Sequence, residues 1–183
     1  MFNLSKNRQK VIKNYDFANK IFSSYSNDVD DTYATIVVFM KDGKYYKFTN
    51  THDEGCIFRS ASGTWKRNDD GNLYVKYDNA IYYDGGELVK TDEPNYFNIR
   101  RIDYKLVKKN YPFDTTLKFI INQDINNNIY KNYITIDDNT HFPIYEFKTE
   151  EDLYKKLEEM YGEVYTLLVD DNIEATDYTT ENM

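Results

Sequence analysis

TIVVFMKDGKYYKFTN, Thr35–Asn50, decides the fold. Ile36, Val37, Val38, Phe39 and Met40 are apolar without alternation, which reads as a strand buried on both faces. Asp42-Gly43 supplies a turn, and Tyr45, Tyr46 and Phe48 continue beyond it between Lys44 and Lys47. Asp-Gly between two β-prone runs is a strong hairpin signal, because glycine accepts the positive φ of a tight turn.

C-terminal to this hairpin the pattern repeats in short pieces. Strand candidates are Cys56–Arg59, Thr64–Arg67, Asn72–Tyr77, Ala80–Tyr83 and Glu87–Lys90. Turns are expected at Ala61-Ser62-Gly63, Asp69-Asp70-Gly71, Asp78-Asn79 and Asp84-Gly85-Gly86. Leu73, Val75 and Tyr77 alternate with Tyr74 and Lys76, as in a half-buried strand. A further strand is expected over Ile99–Val107, then a turn at Tyr111-Pro112. Leu117–Ile121 and Tyr130–Ile136 form a pair across an Asn-rich loop, and Phe142–Phe147 reads as an edge strand because Pro143 cannot donate to a ladder.

Helices are expected at both ends. Over residues 5–25, Val11, Ile12, Tyr15, Ala18, Ile21, Phe22 and Tyr25 recur at helical spacing, with Lys6, Arg8, Lys10, Lys13 and Lys20 on the polar face. Over Lys148–Val169, Leu153, Leu157, Met160, Tyr161, Val164 and Leu168 make one apolar stripe. Thr149 with Asp152 resembles a capping box, and Glu151–Lys155 and Asp152–Lys156 are favourable i,i+4 pairs. The fold class that follows is α+β: an N-terminal amphipathic helix, a central antiparallel β-meander sheet and a C-terminal amphipathic helix. Residues 1–170 make one domain, followed by an acidic tail at 171–183.

The composition narrows the function classes. Nineteen tyrosines and eleven phenylalanines among 183 residues suit sheets and argue against disorder. One cysteine, Cys56, excludes an internal disulfide. The N-terminus lacks an apolar signal-like core and no run is long enough to span a membrane, so a cytoplasmic location is expected. A net charge of −8 argues against direct nucleic-acid binding, which rests on neutralising phosphates. GTWKRNDDGNLYVKYDNAIYYDGG resembles aromatic hairpin repeats that bind cell-wall sugars, but the chain has a single tryptophan and no fixed period.

Nucleotide-loop, nucleophile-elbow and metalloprotease motifs are all absent. His52-Asp53-Glu54 with Cys56 is the one dense cluster of potential ligands or proton carriers. Three adjacent loop residues rarely converge on one ion, and Cys56 opening an apolar strand reads as a small hydrophobe. Asp124–Asn128 starts like a calcium loop, but Ile129 stands where glycine is needed and Thr135 where a glutamate is needed. No metal or cofactor is therefore expected. A nuclease or hydrolase using His52 and His141 is the enzymatic alternative.

Charge distribution carries the preferred reading. Residues 149–183 hold eleven carboxylates against Lys155 and Lys156. Glu151, Glu158, Glu159, Glu163, Asp170 and Asp171, with Tyr154 and Tyr165 as apolar anchors, form a candidate partner-binding face able to imitate nucleic-acid phosphates. The Asn-, Lys-, Tyr- and Ile-heavy composition looks like AT-rich coding DNA, as in low-GC bacteria and their phages. In size, acidity and lack of a catalytic motif the chain resembles, in kind, phage anti-defence proteins such as anti-CRISPRs, and immunity proteins that neutralise toxins. The resemblance implies a non-enzymatic inhibitor in the host-cell cytoplasm, acting on a basic nuclease or toxin.

Overall fold

The computed structural model describes residues 15–24, 34–50, 58–84, 87–90, 97–100, 105–124, 129–136 and 138–177. In chain order the strands are β1 (Lys20–Ser24), β2 (Ala34–Phe39), β3 (Lys44–Asn50), β4 (Phe58–Arg67), β5 (Leu73–Asp84), β6 (Glu87–Lys90), β7 (Phe97–Arg100), β8 (Lys105–Asp124), β9 (Ile129–Ile136) and β10 (Asn139–Glu146). Helices α1 (Glu150–Tyr161) and α2 (Glu163–Val169) follow, then the two-residue strand β11 (Thr176–Asp177).

Eight of these strands close into an antiparallel barrel, in the order β1-β2-β3-β4-β5-β8-β9-β10 and back to β1. The hairpin β6–β7 is an insertion between β5 and β8, and β11 pairs in parallel with β8. Closure removes the exposed edges an open meander would leave. The α+β expectation is thus overturned: the molecule is an all-β barrel carrying two short C-terminal helices.

The N-terminal helix expectation fails where it can be seen. Residues 1–14 lie outside the described residues, but Lys20–Ser24 is a strand hydrogen-bonded to β2 on one side and β10 on the other. The spacing of Ile21 and Phe22 fits a helix, yet adjacent apolar residues in a strand face opposite ways. Phe22 enters the barrel interior and Ile21 lies under the helices. Two apolar layers, one on each side of the wall, therefore outweigh local periodicity.

The Asp42-Gly43 hairpin is present. Gly43 takes φ 91°, Met40 N–H donates to Lys44 C=O at 2.9 Å, and Asp42 Oδ1 accepts from Lys44 N–H at 3.0 Å. β2 is buried on both faces: Val37 and Phe39 point inward, while Ile36, Val38 and Met40 point outward beneath the helices.

Three expected turns are bulges inside long strands. β4 runs unbroken through Ala61-Ser62-Gly63, β5 through Asp78-Asn79, and β8 through Tyr111-Pro112. The register skips Asp78 between Gly63↔Tyr77 and Ser62↔Asn79, and skips Tyr111 and Pro112 on the opposite strand. A bulge bends a strand and shifts its alternation. Tyr77 therefore faces the interior while Ile81, four residues on, faces the helices. At Pro143, the pairing with β1 slips past Ile144, and β10 keeps its β9 partner only over Asn139–His141.

The C-terminal helix forms but is split. Thr149 Oγ1 accepts from Asp152 N–H at 3.1 Å as the N-cap, and Gly162, at φ 50° and ψ −119°, breaks the run into α1 and α2. Leu153, Leu157, Tyr165 and Leu168 bury the apolar stripe against Ile36, Val38, Tyr46, Phe48 and Ile81 of the barrel's outer wall.

Candidate functional site

The acidic face lies on the two helices. Glu151, Glu158, Glu159, Glu163 and Asp171 are exposed, while Asp170 is half-buried at the C-terminus of α2. Among the described residues none of these carboxylates is in an ion pair. The expected Glu151–Lys155 and Asp152–Lys156 bridges are not formed; Lys156 Nζ instead sits 4.1 Å from the centre of the Tyr145 ring. Asp170 is engaged locally: its carbonyl accepts from Lys108 Nζ at 2.9 Å and its Oδ1 from Asn172 N–H at 2.8 Å.

The two tyrosines lie differently. Tyr165 is 9% exposed and faces the barrel, and Tyr154 is half-buried against it, with ring centres 5.9 Å apart. Burial raises the phenol pKa of Tyr46 and Tyr154. It pushes Tyr161 up to about 12 and, with the nearby Tyr154 and Glu158, Tyr165 to about 12 as well. These phenols are neutral parts of the helix–barrel junction.

A second constellation, missed in the sequence, lies inside the barrel. Its lower end is plugged. Phe17 meets Phe119 at 4.6 Å and Tyr15 at 4.8 Å, and Phe39 packs on Trp65 at 5.3 Å. Arg67, on the same face as interior Leu73, donates through Nη2 to Tyr15 C=O at 2.6 Å and stacks 4.8 Å over Phe17. The half above is different. Tyr45 and Tyr77 bring their hydroxyls to 3.4 Å on either side of Gly63.

One row higher, cross-strand partners run Val37↔Lys47↔Ala61↔Ala80↔Lys109. Directly opposed residues share a face. Val37 and Ala61 belong to the interior cluster, so Lys47 and Lys109 are interior residues too. Both are partly buried, with only alanine between them along the wall. Lys108 confirms the alternation by turning outward to α2. Thr49, two residues past Lys47, shares its face, and its Oγ1 is buried without a hydrogen-bond partner. The signal for this row was present as Lys47 and Lys109 within β-prone runs, but only register shows which way they point.

Of the candidate catalytic residues, His141 alone falls among the described residues. His141 is 1% exposed inside the barrel, with Nδ1 3.2 Å from Asn139 C=O. His52, Asp53, Glu54 and Cys56 lie outside the described residues. Among the described residues there is no group of three His, Cys, Asp or Glu side chains able to hold a metal, and no helix is long and apolar enough to cross a membrane. No family model, curated protein or solved structure matches this chain.

Proposed function

We propose that this protein is a non-enzymatic binding protein that engages a basic, nucleic-acid-handling partner through the acidic outer face of α1 and α2. The observation that carries the reading is one-sided charge: the helices spend their apolar stripe on the barrel wall and leave Glu151, Glu158, Glu159 and Glu163 exposed and unbridged. Carboxylates held on a rigid wall keep a fixed spacing, which favours electrostatic steering and partner selection. Occupying a groove built for phosphates would inhibit the partner, a nuclease or toxin acting in the cytoplasm.

The test is recovery of partners from host lysate by the wild type and by a Glu151→Lys, Glu158→Lys, Glu159→Lys variant. A basic nucleic-acid-binding protein should bind the wild type, be released by about 0.5 M salt, where exposed charges are screened, and ignore the variant. Equal recovery by both proteins would remove the acidic face from the mechanism.

A further inference from the structure

We propose that Ile144, Tyr145 and Met160 form an apolar anchor for the basic partner, seating one large apolar side chain that lysines or arginines flank. This anchor deepens the acidic-face reading and depends on it: the carboxylates attract the partner, and the seam beside them holds it.

Three of the four large apolar side chains that stand open among the described residues gather at one seam. Ile144 is 49% exposed, Tyr145 38% and Met160 51%; the fourth, Phe113, lies apart on β8. Tyr145 pairs with Ile21, which lies beneath the helices, so its ring is on the outer side of the wall. Pro143 pairs with interior Phe22, and the register slips over Ile144 between them. Successive residues alternate, so Ile144 also faces outward, and the bulge sets it beside Tyr145 on one face. Helix α1 lies alongside, with Lys156 Nζ 4.1 Å from the centre of the Tyr145 ring. Met160, four residues on, stands one turn further along the same helix face. Only three residues separate β10 from α1, so the helix doubles back and that turn runs from Tyr145 towards Ile144.

The seam is apolar at its centre and acidic around it. From Lys148 to Glu163 six exposed carboxylates stand against three lysines, and Lys156 lays its ammonium on Tyr145. Asp152 and Glu159 lie one turn to either side of Lys156. That rim decides the occupant. It repels an anionic lipid surface and a second copy of the same face alike. Three half-exposed side chains also fall short of the roughly 800 Å2 per partner that a stable dimer buries. A cationic segment with one apolar side chain satisfies both parts. Carboxylates steer it in and set the on-rate, while the buried anchor slows its release. Methionine suits such a seat, since its flexible thioether adapts to the shape it meets.

The probes are two fluorescein-labelled peptides, each with eight lysines around one central residue, tryptophan in one and serine in the other. They are titrated by anisotropy against the full chain in about 50 mM salt, where screening is weak. The expected result is binding of both, the tryptophan peptide about tenfold tighter, the scale of partly burying one large apolar side chain. Ile144→Ser and Met160→Ser should each reduce that margin severalfold, leave the serine peptide's affinity unchanged and melt as the wild type does. Phe113→Ser removes an equally exposed apolar side chain outside the seam and should change neither affinity. Equal affinities for the two peptides, or a margin that survives both seam substitutions, overturns the anchor and leaves the acidic face standing. Failure of both peptides to bind removes the acidic face, and the anchor with it.

Discussion

Gly63 shows how little freedom one position in the wall retains. A Cβ built there would lie 1.9 Å from the carbonyl oxygen of Lys76 and 2.8 Å from the Cα of Tyr77. The contact is backbone on β5, so no side chain can swing aside. It lies where β5 bulges past β4, between the rings of Tyr45 and Tyr77. Gly63→Ala should therefore cost about 1–3 kcal/mol, the range for forcing atoms into packed structure, read as a lower urea midpoint. An unchanged midpoint would mean that the two strands do not approach this closely.

The residue scale was also where the sequence said least about the site. The outer carboxylates were legible because charge density along a helix needs no tertiary information. Lys47 and Lys109 were not, since a lysine in a strand reads as solvent-facing until its partners Val37, Ala61 and Ala80 place it inside.

At the scale of elements, the junction between helices and barrel is governed by buried phenols. Tyr46, Tyr161 and Tyr165 titrate above the ordinary phenol value because burial disfavours the phenolate. In the unfolded chain these groups ionise near pH 10, while in the folded protein they hold their protons. Their contribution is fully present below pH 10 and is lost as pH rises from 10 towards 12. Urea midpoints should hold steady from pH 8 to 10 and fall by pH 11.5, with Tyr161→Phe reducing the fall. A midpoint that stays level to pH 11.5 would contradict the buried placement.

The elements themselves were unevenly legible. The hairpin over Thr35–Asn50 and the C-terminal helical segment followed from local chemistry: a turn dipeptide, a threonine cap and an apolar stripe. The bulges did not, because Gly63, Asp78-Asn79 and Pro112 carry the same residue types as turns. A glycine or proline marks a departure from regular pairing; only the neighbouring strand decides whether the chain reverses or merely bends. β1 was misread for a related reason, since a short apolar run with both faces covered has no period of its own.

At the scale of the whole molecule, closure converts a net charge of −8 into two separate surfaces. One wall divides them, with unbridged carboxylates on the helices outside and the lysine row within. β1 is the strand that makes this possible. Its pairing with β10 joins Lys20 to Glu146, at 3.2 Å between Nζ and Oε2, and brings Ser24 opposite His141. Without β1 the sheet is an open meander, the lumen has no second side, and Ile21 leaves the layer beneath the helices.

The most direct measurement is therefore a backbone-amide NOE spectrum of the full chain. The barrel predicts cross-strand contacts of β1 with both neighbours, Ser23 with Ile36 and Phe142 among them, together with contacts between Phe119 and Ile134. Sequential helical amide contacts running through Lys20–Ser24, with no cross-strand contacts to β2 or β10, would contradict it.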